Sequence, residues 1–267
     1  MSSLNQLMDL SGRRALLTGG AGHIGLAAGE ALAEMGATIA ILDEDAEACR
    51  ARVETLSKYP ARRVIPVPCD LAQERGTRLA VKSAIKEMSG LDILIHLAAY
   101  VGTTELAGWS VPFDDQTVQA WDQALRVNLT SAFVLVQEAQ AALSASGHGS
   151  VILFGSTYGM VGPDFRIYEG TSMVNPAGYA ASKGGLLQLT RYLATLLAPR
   201  VRVNAISPGG VWRDQPEAFH QRYLARTPLG RMATEEDLKG AVAYLASDLS
   251  AYVTGQNLIV DGGWTAW

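Results

Sequence analysis

Arg14-Ala15-Leu16-Leu17-Thr18-Gly19-Gly20-Ala21-Gly22-His23-Ile24-Gly25 opens as a short apolar run and turns at once into glycine. Residues 14–17 read as a buried strand, and Leu26 to Met35, rich in alanine and closed by Gly36, reads as a helix. A strand, a glycine turn and a helix in that order leave backbone N–H groups free at the positive end of the helix dipole. A pyrophosphate fits there, and glycine lets it come close. Thr38 to Leu42 is a second strand, ending at Asp43, 18 positions beyond Gly25. A carboxylate at that point accepts hydrogen bonds from both ribose hydroxyls of an adenosine and repels a 2′-phosphate. Glu44 and Asp45 follow, where an Arg or Lys would reverse the preference, so the expected cofactor is NAD rather than NADP.

The pattern repeats outward from this unit. Ala46, Cys49, Val53 and Leu56 mark a helix, Val64 to Val67 a strand, Leu79, Val81, Ile85 and Met88 a helix, and Leu91 to Leu97 a fourth strand. Asp70, just past the third strand, can accept a bond from an adenine amino group or cap the helix before Glu74, and Leu71 packs beside the base. Residues 98–116 are irregular, with Gly102, Gly108, Trp109 and Pro112. Thr117 to Leu143 carries a long helical stripe through Trp121, Leu125, Leu129, Phe133 and Val136, interrupted by Asn128. Ser150 to Phe154 is a fifth strand, and a helix that includes Tyr179 continues through Leu186, Leu189, Leu193 and Leu196. Val201 to Ile206 is a sixth strand, broken by Pro208-Gly209-Gly210. Glu235 to Ala246 is a helix capped by Thr234, and Gln256 to Val260 is the last strand. Alternation of this kind predicts an α/β chain with seven parallel strands and helices on both faces. No linker-like run or internal repeat divides it, so residues 1–267 are expected to form a single domain.

Chemistry concentrates after the fifth strand. Tyr179-Ala180-Ala181-Ser182-Lys183 sets a phenol and an ammonium four residues apart, on one face of a helix. A fixed cation beside a phenol favours the phenolate, which could then take a proton from an alcohol. Ser156 follows the fifth strand at its carboxyl edge.

Composition narrows the partners. With 22 Lys and Arg against 26 Asp and Glu, the net charge of -4 offers no basic field for nucleic acid or an anionic membrane surface. Met1 to Arg14 lacks an apolar core of signal-peptide length, and no apolar stretch is long enough for a bilayer, so a cytoplasmic protein is expected. Cys49 and Cys69 are too few for a disulfide framework and suit small buried positions. His23, His96, His148 and His220 show no metal-ligand spacing, and no metal is expected.

Together, Thr18-Gly19 with Gly25, Asp43, Asp70-Leu71, Asn128, Ser156, Tyr179 with Lys183, Asn204-Ala205-Ile206-Ser207-Pro208-Gly209 and Val260-Asp261-Gly262-Gly263 resemble the short-chain dehydrogenase/reductase family over nearly the whole chain. The resemblance implies a single Rossmann-like doubly wound domain. It further implies Tyr179 as base in oxidation and acid in reduction, and Lys183 lowering its pKa and binding the nicotinamide ribose. Ser156 would polarise the substrate oxygen, and Asn128 would anchor a water leading to Lys183. NAD would lie along Gly19, Gly22, His23, Ile24, Gly25, Asp43, Asp70, Leu71, Ala98, Pro208, Gly209 and Val211. Three positions depart from the pattern. His23 stands where the shorter branch usually has Gly, His96-Leu97-Ala98-Ala99 replaces Asn-Asn-Ala-Gly, and Arg213 replaces a Thr that bonds the carboxamide. The first two are similar to extended members, so a sugar-nucleotide epimerase or dehydratase with internal hydride return is the alternative to an NAD-dependent dehydrogenase.

Between Ser156 and Tyr179 lie 22 residues, more than the family usually has. Polar residues 163–172 should lie beside the reacting centre. Arg166 and Arg213 are candidates to bind a polyhydroxylated or anionic small molecule, such as a sugar derivative, unless local acids (Asp164 or Glu169, and Asp214) hold them. Residues 211–228, with Trp212, Phe219 and Tyr223, suit a lid or a subunit contact. The resemblance implies a homotetramer, with Trp264 and Trp267 as interface residues.

Overall fold

Short apolar runs bounded by turn residues form the strands in the computed structural model of the protein, which describes residues 1–61 and 63–267. They are β1 (Arg14–Thr18), β2 (Thr38–Asp43), β3 (Arg63–Pro68), β4 (Ile93–His96), β5 (Gly149–Phe154), β6 (Val201–Pro208) and β7 (Asn257–Val260). All pair in parallel, in the order β3-β2-β1-β4-β5-β6-β7. Strands β4 and β5 are buried along their whole length, which is why they read as continuous apolar runs rather than alternating ones. After a short α1 (Leu4–Met8), helices α2 (His23–Glu34), α3 (Ala46–Leu56) and α9 (Glu236–Ala246) cover one face, and α4 (Glu74–Met88), α6 (Ser131–Ser146) and α7 (Ala177–Leu197) the other. From β1 the order runs outward through β2 and β3, and from β4 it runs the opposite way. That reversal opens a crevice at the carboxyl ends of β1 and β4.

The helix expected over residues 117–143 is broken. It is built from α5 (Val118–Leu125) and α6, joined by a π turn at Arg126–Thr130. The inward stripe runs through Ala120, Ala124, Val127, Asn128, Ser131 and Leu135, so Trp121 and Phe133, expected inside, are exposed. Single π turns in long helices often mark functional sites, and this one aims Asn128 into the protein. Leu79 and Leu196 also lie outward, because α4 and α7 turn Val81 and Met88, and Leu186 and Leu193, to the sheet instead. Helix α2 begins at His23 rather than Leu26. Thr234 does not cap α9, since its N–H and hydroxyl both donate to Asp237. Asp70 does not cap α4 either. It accepts the Ala72 N–H at 2.8 Å, closing the turn ahead of Gln73.

A small separate core forms beyond the sheet. Ile167 from the segment before α7, Phe219 and Tyr223 from α8 (Glu217–Ala225), Met232 and the near-terminal Trp264 pack together. Trp264 stacks on Tyr223 with centroids 5.8 Å apart and meets Tyr158 edge-on at 6.1 Å. Trp264, Phe219 and Tyr223 are therefore filled contacts within the chain rather than subunit-facing residues, while Trp267 is exposed. The Tyr223 hydroxyl accepts the Gly210 N–H, which pins the start of residues 211–228 to α8.

Truncating the indole at the centre of this cluster should be expensive. Trp264→Ala is expected to lower unfolding stability by roughly 3–5 kcal/mol, read as a fall in urea midpoint. A change below about 1 kcal/mol would show that the cluster does not brace the fold.

Candidate active site

Gly19 ends β1 with φ +66, a left-handed value, and an added Cβ would lie 2.6 Å from the Ala98 backbone nitrogen. Gly25 is equally confined, since a Cβ there would strike the Gly19 carbonyl. These two glycines let the turn close against the end of β4. No side chain caps α2 at Gly22, so its first N–H groups face the crevice with the helix dipole behind them.

A cavity of about 570 Å³ runs along this edge, lined by Gly19, Gly22, His23, Ile24 and Gly25 on one wall. Asp43, Glu44, Asp70 and Leu71 lie at one end, Tyr179, Lys183 and Arg213 also line it, and Ala98, Pro208 and Val211 complete it. The donor set fits a dinucleotide, with amide N–H groups and a helix N-terminus for phosphates, carboxylates for a ribose diol, and an amine for the second ribose. Asp43 is held by the Ala21 N–H at 3.1 Å and the Glu44 N–H at 2.9 Å. Gly209, expected here, does not line the cavity. It lies against Asp261 and Tyr223 and serves the chain's own packing.

Helix α7 brings Tyr179 and Lys183 together, with the Lys183 Nζ 5.6 Å from the phenol ring centroid. Lys183 is buried and donates to the Phe154 carbonyl at 2.7 Å. Burial holds its pKa down to about 8. Burial also raises the Tyr179 pKa, and the Ser156 hydroxyl opposes that rise by favouring the phenolate. The expected downward pull of Lys183 does not figure among the causes acting on Tyr179, where burial dominates, and the same desolvation disfavours both charged forms. Ser156 is buried behind the cavity wall, where its Oγ accepts the Tyr158 N–H at 3.1 Å.

Asn128 spends its side chain on protein groups. Its Oδ1 accepts the Tyr100 N–H at 2.7 Å, and its Nδ2 donates to the Tyr100 carbonyl and to Ser182 Oγ, each at 3.1 Å. Its backbone carbonyl lies 3.3 Å from His96 Nε2, whose other ring nitrogen is 2.9 Å from Thr18 Oγ1. His96 therefore links the ends of β1 and β4 to the π turn, as a satisfied core histidine. Burial is the main reason its pKa falls to about 3, with nearby Lys183 adding to the drop.

The two arginines separate. Arg213 lines the cavity, but its partner is Glu235 at 2.6 Å rather than Asp214. Arg166 does not face the cavity. Asp164 grips it through Nε at 2.8 Å and Nη2 at 2.9 Å, and it lies in an outer depression with Arg222 and Trp267. Sequence reading missed Tyr100, which lines the cavity, and Tyr158 and Tyr168, which stand near Tyr179. Tyr158, two residues after Ser156, could have been found by proximity alone. Among the described residues no group of three or more His, Cys, Asp or Glu is placed to hold a metal, and no helix is long and apolar enough to cross a membrane.

A doubly wound sheet with an uncapped glycine-turn helix, and a Tyr–Lys pair at the far end of the same crevice, defines a nucleotide-dependent oxidoreductase. A family model described as enoyl-(acyl carrier protein) reductase matches residues 19–265, and the chain belongs to the short-chain dehydrogenase/reductase family, whose enzymes use a nicotinamide cofactor. It is 32% identical over 261 residues to cis-4-hydroxycyclohexanecarboxylate dehydrogenase of Sinomonas cyclohexanicum, covering 95% of this chain and 97% of the relative. L-rhamnose 1-dehydrogenase (NAD(P)(+)) of Sphingomonas sp. (strain SKA58) is 31% identical over 269 residues, covering 95% and 96%. Among solved structures, the NADPH-dependent 3-quinuclidinone reductase of Rhodotorula rubra superimposes with a TM-score of 0.87 at 29% identity, covering 100% of this chain and 96% of that one.

Neutral burial of His96 sets an acid limit on stability. The folded chain resists protonating it until about pH 3, whereas the unfolded chain takes up the proton near 6.5. Stability is therefore complete above about 6.5 and falls as pH drops towards 3, by about 1.4 kcal/mol per unit where only the unfolded state is protonated. His96→Asn should flatten the fall in urea-unfolding free energy between pH 6 and 4.5. An unchanged slope would exclude His96 as its source.

Proposed function

We propose that the protein is an NAD-dependent dehydrogenase that interconverts a secondary alcohol and a ketone on a polyhydroxylated or anionic small molecule. The observation that carries this reading is the convergence of Tyr179, Lys183 and Ser156 beside one cavity whose other end holds Asp43. When bound, the nicotinamide supplies the hydride acceptor. Tyr179 receives the proton from the substrate hydroxyl, Ser156 donates a hydrogen bond to the same oxygen, and Lys183 supports the negative charge that develops on the phenol. The buried setting excludes water and strengthens each of these interactions.

Local charge supports NAD over NADP. Glu44 has a raised pKa, first from burial and then from the neighbouring charges of Asp43, Asp70 and Asp45, so this end of the cavity carries a concentrated negative field. A 2′-phosphate would add charge of the same sign. The named relatives act on a hydroxycyclohexane carboxylate and on a sugar, which supports an oxygen-rich cyclic substrate. We further propose a cytoplasmic homotetramer, supported by the exposed apolar residues Trp121, Phe133 and Leu196 on the outer helices.

Tyr179→Phe should lower kcat by about 10²–10⁴-fold while leaving NADH binding, followed by fluorescence, nearly unchanged. Retained turnover would remove Tyr179 from the reaction. Wild-type enzyme should accumulate NADH, which an epimerase returning its hydride internally would not do. Asp43→Asn should raise the NADP-to-NAD ratio of kcat/KM about tenfold, a change of about 1.4 kcal/mol. A ratio that does not move would argue against charge as the basis of cofactor choice.

A further inference from the structure

Among the described residues, Arg213 is the only arginine that lines the main cavity, which it shares with Gly19, Gly22, His23, Ile24 and Gly25 of the glycine turn. Three carboxylates, Asp43, Glu44 and Asp70, line the same space, and Lys183 is the other fixed cation. Lys183 is already engaged, with the Phe154 carbonyl at 2.7 Å and the Tyr179 ring beside it. A dinucleotide brings an anionic diphosphate into this acidic lining. The amide N–H groups at the start of α2 meet part of that charge, and a guanidinium within reach would meet more.

The backbone holds Arg213 firmly. Val211 bridges to Ala233 in parallel, and the Trp212 N–H donates to the Ala233 carbonyl at 2.9 Å. Gln215 then closes a tight turn, accepting the Arg213 N–H at 2.8 Å and donating to the Val211 carbonyl at 2.9 Å. The side chain is held more lightly. Its Nη1 donates to the Trp212 carbonyl at 2.8 Å and lies 2.6 Å from Glu235 Oε1, while Nε and Nη2 make no hydrogen bond to a described residue. The same Glu235 oxygen is 4.0 Å from Nδ1 of His23, the first residue of α2. One carboxylate oxygen thus keeps the guanidinium at the helix end that the glycine turn leaves uncapped.

The side chains of Arg213 and Glu235 are each 31% exposed. An ion pair open to water contributes little, and separating it leaves no charge stranded in the interior. A diphosphate offers the planar guanidinium paired oxygens, in a more enclosed place and beside a helix N-terminus. We infer that Arg213 leaves Glu235 to bind the diphosphate of the incoming dinucleotide, and so serves cofactor capture rather than substrate recognition. Glu235 is a placeholder that keeps the guanidinium ready and competes with the cofactor for it. This rests on the cavity's holding the nicotinamide cofactor and is independent of the substrate.

The test measures binding rather than turnover: dissociation constants of the full chain for NADH by fluorescence, and for ADP-ribose and adenosine by calorimetry. Arg213→Met should weaken NADH and ADP-ribose about tenfold, the loss expected for a hydrogen bond to a charged group, and leave adenosine, which has no phosphate, unchanged. Glu235→Gln removes the competing charge and should tighten NADH and ADP-ribose about threefold, the scale of an exposed ion pair. In the double variant that gain should vanish, because the group it frees is gone. Thermal midpoints identify a variant that has not folded, and if Arg213→Met is lost in this way, Glu235→Gln decides the matter. Unchanged NADH affinity in folded Arg213→Met, an equal loss for adenosine, or NADH binding that Glu235→Gln fails to tighten overturns the inference while leaving the cavity as the cofactor site. A wild type that binds none of the three refutes the dinucleotide reading, and this inference with it.

Discussion

A chain of hydrogen bonds couples the two ends of the site. Thr18 at the glycine turn meets His96, His96 meets the Asn128 carbonyl, the Asn128 amide donates to Ser182, and Ser182 donates to the Tyr179 carbonyl at 2.7 Å. The first three links join different elements, from β1 through β4 and the π turn to α7, and the last lies within α7. The turn that would hold phosphates and the helix that carries the phenol are thus fixed in one frame. Displacing either would leave buried polar groups unpaired, which costs far more than the bonds contribute when made.

Within that frame, burial does most of the electrostatic work. Lys183 and Tyr179 lie close together, yet desolvation lowers one pKa and raises the other, so neither charged form is favoured by enclosure. A site of this kind is poised rather than pre-ionised. Small additions of charge or hydrogen bonding inside it have large effects, because little solvent is present to screen them. The placement of Ser156 matters for that reason, since among the causes acting on Tyr179 it alone favours the phenolate.

Most of this was legible in the sequence, and the exceptions share a cause. Strands were readable because central parallel strands are continuously apolar, and Asp43, Tyr179 and Lys183 were readable because their spacing follows directly from a strand end or a helical turn. The π turn was hidden, since one extra residue in a helix leaves no compositional mark, and the inward stripe runs through small residues such as Ala120 and Ala124 rather than Trp121 and Phe133. Partners distant in sequence were hidden too. Nothing local says that Arg213 meets Glu235, or that Trp264 stacks on Tyr223, because those contacts exist only after the chain has folded. Arg166 was placed in the right segment and on the wrong side of it, since a short 3-10 turn at Phe165–Tyr168 sends Tyr168 inward and Arg166 outward.

That turn separates the inserted segment from the helix that carries Tyr179 in this fold. The sheet and α7 fix Tyr179 and Lys183, whereas Tyr158 and Tyr168 pack on the small core made with α8 and the chain's last residues. The two cores meet at the Ser156 turn and just past β6, where the Gly210 N–H donates to the Tyr223 hydroxyl. The helix that carries the Tyr–Lys pair and the inserted segment are therefore braced mainly by different cores, one built on the sheet and one with α8.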